Sequence, residues 1–378
     1  MIKVARISIV GFANYGCILQ NYALEKVLTK FGEVHTLFDN DKAHIYEFNK
    51  YRWNIKLFIK FIINKNNVRK FFSRKTFLFE VSRMVRCKEF CNQNLNIRYD
   101  IDFEKINDEY DFFVVGSDQV WNTGGIQRFD RFRKRKVSDI KFLKFASPSK
   151  RIAYAASIAQ PDIPPALRES FIESVCAMKD VSVREVEGAQ LIQKYTGRTV
   201  EVVADPTMLL TSVEWEKLER KPIWLDEKDK YLFTYFLGKR IGDVIQKVAS
   251  ENNLKIINML DFENFDHYTT SPEEWIYLIH HAEFVYTDSF HGTVFSILFK
   301  KPFVVCNRIG SGIYSKMTSR IDTLLGKFDL EDRRGTKENG YMIADPLHIQ
   351  YGDVDAVLAE DRRKADKYLR RALDLNKT

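Results

Sequence analysis

Residues 111–122 read Asp111-Phe112-Phe113-Val114-Val115-Gly116-Ser117-Asp118-Gln119-Val120-Trp121-Asn122. The apolar run to Val115 has the length of a strand, and it halts at a glycine followed at once by polar side chains. In open α/β sheets ligands bind beyond the carboxyl ends of the strands, so Ser117 and Asp118 stand where a ligand would. Asp118 reads as an acceptor for a sugar hydroxyl or as a base, or else it joins Ser117 in capping the next segment.

Outward from this stretch the pattern recurs. Val4 to Val10, Ile152 to Ala155, Val181 to Val183 and Val200 to Val203 are further strand-length runs, and Leu19 to Leu28 has helical spacing. Tyr231 to Phe236, Lys255 to Asn258, Phe284 to Thr287 and Phe303 to Cys306 repeat the theme. Strands alternating with helices predict parallel, doubly wound sheets. A length of 378 residues fits two domains, and 45% apolar content supplies their cores. The expected architecture is therefore α/β with two Rossmann-like domains. Residues 1–207 form the first, with an insertion near 50–90; residues 208–350 form the second, and 351–378 a terminal helix. Thr211 with Glu214, and Ser271 with Pro272 and Glu274, mark helix starts by capping-box spacing. The terminal helix can pack on either domain.

Other strand ends carry polar groups too. Gly11 to Cys17 is a strand-to-helix turn with glycine, suited to an anion or simply to the turn; it is not GxGxxG, so no dinucleotide site is indicated. Arg184 follows Val183 and reads as a phosphate or carboxylate ligand, or as a surface ion pair with Glu185 or Glu187. Asp205-Pro206-Thr207 reads as a turn at the domain hinge. His291, in Asp288-Ser289-Phe290-His291-Gly292, opens a helix where it could meet an anion and move a proton, or serve as a core or capping histidine. His280 and His281 are given no role. Cys87 and Cys91 share a helical face without a second ligand pair, so no metal site is expected.

The net charge of +8 is concentrated. Between Lys50 and Phe90 twelve Lys and Arg stand against two acids, a local +10 that leaves the rest of the chain at −2. Arg52, Lys56 and Lys60 would share a stripe on a helix whose other faces carry Trp53, Leu57, Phe58, Phe61 and Ile62, and Phe71, Phe72, Phe77 and Phe79 follow among further cations. Such a stretch suits peripheral contact with an anionic membrane, or helices packed on the body with solvated lysines. No nucleic-acid-binding motif accompanies it. Five scattered cysteines fit a reducing, cytoplasmic compartment. Ile7 to Val10 is too short for a signal sequence and reads as part of the first strand.

Taken together the motifs resemble the polysaccharide pyruvyl transferase family. They are Asn14-Tyr15-Gly16 with Leu19-Gln20 and Tyr22-Ala23-Leu24; Val115 to Asn122; Ala153-Tyr154-Ala155-Ala156-Ser157; Ser182-Val183-Arg184-Glu185; Asp205-Pro206-Thr207; and Asp288 to Gly292, in family order. The resemblance implies a glycosyltransferase GT-B-like fold and transfer of pyruvate from phosphoenolpyruvate onto two hydroxyls of a saccharide, forming a ketal. It further implies His291 as the phosphate-side acid or binding group and Asp118 as an acceptor-side base. Arg184, Asn14, Gly16, Gln20, Ser117, Ser289 and Arg320 would bind substrate. No metal or other cofactor is expected, phosphoenolpyruvate being a substrate. Some relatives carry arginine where this chain has Ser289, so Arg320 or Arg308 would substitute. Acceptors in this family are often lipid-linked saccharides at the inner face of the cytoplasmic membrane, which would give the basic stretch a purpose. A nucleotide-sugar-dependent glycosyltransferase and a non-catalytic saccharide-binding protein are the alternatives.

Overall fold

A computed structural model describes residues 1–8, 14–38, 74–99, 101–122, 129–130, 135–309 and 319–375. The stripe of Arg52, Lys56 and Lys60 with its aromatics, and Gly11 to Ala13, lie outside the described residues.

Two sheets organise the chain. The first holds β1 (Ile2–Ile7), β2 (Gly32–Leu37), β3 (Ile97–Arg98), β4 (Phe112–Val115), β7 (Arg151–Ala156), β8 (Asp180–Val183) and β9 (Glu201–Val202), in the order β3-β2-β1-β4-β7-β8-β9. A small antiparallel hairpin, β5 (Phe129–Asp130) and β6 (Arg135–Lys136), stands apart. The second sheet holds β10 (Tyr231–Tyr235), β11 (Lys255–Asn258), β12 (Phe284–Thr287), β13 (Phe303–Cys306) and β14 (Arg334–Gly335), ordered β11-β10-β12-β13-β14. Every pairing in both sheets is parallel. Strands such as Phe112–Val115 and Phe303–Cys306 are therefore apolar without alternation, because both their faces are covered. Each sheet reverses its winding once, between β1 and β4 and between β10 and β12, which are the positions where doubly wound folds open a crevice. This is the GT-B-like pairing of two Rossmann-like halves.

Helix α1 (Tyr15–Leu28) lies between the halves. Asn14 caps it by accepting the Cys17 N–H, and nearly all of its residues are buried. A helix that is apolar on most of its faces needs neighbours on most sides. It packs against α2 (Arg74–Asn94) and against two helices of the second half, α6 (Pro272–His280) and α7 (Phe290–Leu298). Tyr15 stacks on Trp275 at 5.5 Å and donates its hydroxyl to the Thr270 carbonyl at 2.6 Å. Trp215 sits between Tyr22 and Phe295. One apolar core consequently runs through both halves. On α2, Phe79 is buried against Phe265 and Tyr268 rather than offered to a membrane, and Cys87 and Cys91 are buried free thiols. The remaining long helices are α3 (Pro165–Cys176), α4 (Val186–Thr196), α5 (Gly242–Glu251), α8 (Ser319–Lys327) and α9 (Val354–Ala372).

The terminal helix α9 binds both halves. Tyr368 donates to the Ala153 carbonyl at 2.8 Å and Arg371 pairs with Asp180 and Glu201 in the first; Asp361 holds Lys327 and Asp355 holds Lys300 in the second. No helix among the described residues is long and apolar enough to cross a membrane.

Candidate active site

The carboxyl ends of β1, β4 and β8 and those of β12 and β13 converge on one polar cluster. Gly116 turns the chain after β4 with φ 127°, and a Cβ there would lie 2.0 Å from the Tyr154 carbonyl oxygen. Asp118 follows at φ 67°, a left-handed conformation that aspartate tolerates better than most residues. Its N–H donates to Ser117 Oγ at 2.6 Å, and the Ser117 N–H donates to Gln20 Oε1 at 3.2 Å. Gln20 in turn donates to Ser8 Oγ and to the Cys17 carbonyl, both at 3.0 Å. Gln20 and Ser117 therefore fix the loop that aims Asp118.

Arg184 joins two carboxylates. Its Nη2 donates to Asp118 Oδ1 at 2.9 Å and its Nη1 to Asp205 Oδ2 at 2.6 Å, with the whole side chain 1% exposed. Cys17 Sγ donates to the other Asp118 oxygen at 2.9 Å, and Ser117 Oγ donates to Asp205 at 3.2 Å. From the second half, His291 Nε2 stands 3.7 Å from Asp205 Oδ2 and Arg320 Nη1 3.8 Å from Asp118 Oδ1. The guanidinium groups of Arg184 and Arg320 lie over the Phe290 ring at 4.7 and 5.7 Å. Asp118 Oδ1, which faces both guanidinium groups, is the counter-charge that offsets their mutual repulsion. Arg308, after β13, stands 3.7 Å from Asp288, whose carboxylate accepts the Leu237 and Gly238 N–H groups at 2.7 Å each.

Electrostatics follow from this packing. Burial alone would raise the Asp118 carboxyl, but the charges of Arg184, His291 and Arg320 outweigh it and hold it well below the usual carboxylate range. Asp205 is depressed in the same way, chiefly by His291 and Arg184 against its burial. Burial and then the charge of Arg184 bring Arg320 down to about 10, while burial and then Asp118 push the Cys17 thiol up. Buried His291 Nε2, Arg184 Nε, Arg308 Nε and Arg320 Nε have no hydrogen-bond partner in the protein. Three of these four belong to the second half, and they are the donors a bound anion could engage.

Gly16 lets the histidine in: a Cβ on it would fall 2.1 Å from His291 Nδ1. Asn14 caps α1 and Ser289 caps α7, each accepting a backbone N–H, from Cys17 and Gly292 respectively. The structure thus brings His291, Asp118, Arg184, Gly16, Ser117 and Arg320 into one cluster, with Asn14, Gln20 and Ser289 holding its backbone. Arg184 is not a surface ion pair. Its partners are Asp118 and Asp205, and its 3.9 Å approach to Glu185 is equally buried. Sequence reasoning missed Asp205, Cys17 and Glu185. Asp205 does head a short turn, Pro206–Met208, but the turn is buried and its carboxylate reaches Arg184 and His291. The available signal was its position two residues past the strand-length run that ends at Val203, close to the way Arg184 directly follows Val183. Glu185 accepts from Ser157 Oγ and the N–H groups of Ile158 and Ala159, closing the loop after β7. Among the described residues, the one group of His, Cys, Asp or Glu with metal-ligand spacing lies elsewhere, at Glu219, His280 and His281.

The sequence pattern described as Polysaccharide pyruvyl transferase matches residues 14–309, a span that holds every residue of this cluster except Ser8 and Arg320. The chain belongs to that family. It is accordingly a transferase of polysaccharide synthesis, and its acceptor is a saccharide. No curated protein matches its sequence. Solved structures with a similar course include UDP-N-acetylglucosamine 2-epimerase from Rickettsia bellii, 12% identical over 100% of this chain and 96% of that one at a TM-score of 0.49. UDP-GlcNAc 2-epimerase from Neisseria meningitidis is 10% identical over 96% and 100% at 0.42. MurG from Acinetobacter baumannii is 10% identical over 100% of both chains at 0.38. In the transferase, as in any doubly wound fold, the cluster sits at the crevice between reversed strands.

Proposed function

We propose that this transferase takes pyruvate from phosphoenolpyruvate and closes it as a ketal over two hydroxyls of a saccharide. The observation that carries the reading is the cluster itself: a histidine and two arginines with unpartnered donors, from the second half, facing two strongly acidic carboxylates from the first. In the overall reaction one acceptor hydroxyl adds across the enol double bond, its proton ending on the methylene carbon as a methyl group. The second hydroxyl displaces phosphate at the same carbon, and its proton leaves with the phosphate. The donor is a compact polyanion, so Arg320 and Arg308, with their free Nε–H groups, are its natural clamps. His291 then stands on the phosphate side as the proton donor, aligned by Asp205.

Two roles expected from the resemblance change with the geometry. Arg184 has both terminal nitrogens committed to carboxylates, so it acts as a positioning residue rather than as the donor's clamp. Asp118, held far below the ordinary carboxylate range, is a poor base at neutral pH and serves as the anion that orients Arg184 and Arg320. The basic stretch between Lys50 and Phe90 supports a lipid-linked acceptor presented at an anionic membrane face.

The test is phosphate release from phosphoenolpyruvate with a panel of galactose- and mannosamine-type lipid-linked acceptors. Acceptor-dependent release, lost in His291→Ala and in Arg320→Ala, is the expected result. No release, with the melting temperature raised by a nucleoside diphosphate sugar and not by phosphoenolpyruvate, would replace this reading with sugar transfer.

A further inference from the structure

Helix α6 ends in His280, and its C-cap is His281. Glu219, in the segment after the short helix Ser212–Glu216, lies against both. Its Oε2 is 2.9 Å from His280 Nδ1 and its Oε1 is 3.1 Å from His281 Nε2, and ligand atoms of the three residues all fall within 4.8 Å of one another. The rings are held from outside the group: His280 stacks on Phe299 at 4.3 Å and His281 on Tyr277 at 4.0 Å. Both stacks are nearly parallel, so each imidazole keeps an edge rather than a face toward Glu219.

We propose that Glu219, His280 and His281 form a zinc-type site for a divalent transition metal ion. Zinc binds imidazole nitrogen and carboxylate oxygen at about 2.0–2.2 Å in a tetrahedron. Neighbouring ligand atoms then stand on the order of 3.4 Å apart, a spacing that small ring movements reach from the present group. Two imidazoles with one carboxylate select Zn²⁺ over Mg²⁺ and Ca²⁺, which take shells of oxygen. The end of α6 adds the partial negative charge of its last carbonyls. His281 is 42% exposed at its side chain, which gives an ion an entry path and leaves a fourth position to water.

The place in the fold sets the role. His281 precedes β12, whereas the catalytic cluster follows that strand's other end, so the ion stands away from the chemistry. It would clip the segment that joins the two halves to α6, where Arg220 N–H already donates to the Glu273 carbonyl.

Isothermal titration of the full-length protein, stripped with a chelator and exchanged into chelator-free buffer, tests the assignment with ZnCl₂ and, separately, MgCl₂. One equivalent of zinc bound, no magnesium uptake, and binding weakened about tenfold or more in both Glu219→Gln and His281→Ala are expected. No stoichiometric zinc binding by the wild type, or zinc binding unchanged in the two variants, overturns the proposal and leaves Glu219 as an ion-pair clamp on two histidines. His281 is half exposed and its alanine variant decides alone if Glu219→Gln does not fold.

Discussion

A Cβ on residue 16 would lie 2.1 Å from His291 Nδ1 and 2.5 Å from its Cγ, distances no side chain keeps. Gly16→Ala must therefore displace the imidazole while leaving the helix around it intact, since alanine suits a helix better than glycine does. An ångström-scale shift of a reacting group costs on the order of 100-fold in rate. Phosphate release is expected to fall by about that factor, and adding His291→Ala to Gly16→Ala should cost little more, because the two changes remove one function. Additive losses in that double-mutant cycle would show that Gly16 serves something other than the histidine. Arg184 poses the stability question at the same scale. Arg184→Leu strands Asp118 and Asp205 as buried charges, and breaking such a network by removing one partner costs about 3–5 kcal/mol. The pH dependence has a definite sign. Both carboxyls titrate below their ordinary 3.8 in the folded protein, so their contribution is complete above that value and is lost as pH falls through it toward the folded values. Denaturant unfolding followed from about pH 7 to about pH 3 should show a steep acid limb in the wild type and a flatter one in Asp118→Asn. Equal slopes would mean that Asp118 is not held low by its arginines.

At the scale of elements, what was legible in the sequence was what is local. Thr211 with Glu214 and Ser271 with Glu274 form complete capping boxes, each needing only four consecutive residues. The strand runs were equally plain, because parallel strands covered on both faces are apolar throughout. Two-residue strands such as β3 and β14 have no pattern to read. The site divides along the same line: Asp118, Arg184 and His291 announce themselves at strand ends, but Asp205 gains its meaning only when α7 of the other half brings His291 to it. Ser289 shows how a local rule and a family expectation can compete. Its hydroxyl accepts the Gly292 N–H at 3.3 Å as the N-cap of α7, so a residue read as a substrate ligand is also structural. Ser289→Ala should destabilise by about 1 kcal/mol. Its effect on phosphate release should be small beside that of His291→Ala, and a comparable loss of rate at unchanged stability would make Ser289 a direct substrate ligand.

On the scale of the molecule, two Rossmann-like halves need not move as two bodies. The apolar core runs from Val4 and Val114 of the first sheet through α1 to Val285 and Val305 of the second, and α9 is fastened to both halves. An interface that is large and apolar removes the default expectation of independent domain motion. Calorimetry should accordingly give one unfolding transition, with calorimetric and van't Hoff enthalpies in agreement. The strongest version of the test removes α9 by ending the chain at residue 353. Val354, Leu358 and Leu369 are buried on that helix, and at about 1.5–3 kcal/mol for each aliphatic side chain they represent on the order of 5–9 kcal/mol. Net stabilities of whole proteins are about 5–15 kcal/mol, so the truncated chain should lack a cooperative transition altogether. Tyr368→Phe is the matched control, because it keeps the packing and deletes only the hydroxyl that donates to the Ala153 carbonyl, at a cost of about 1 kcal/mol. If instead the truncated chain unfolds in two separate steps, each half carries its own stability and α9 is a tether between domains; if it unfolds as the wild type does, the shared core around α1 suffices to hold the cleft.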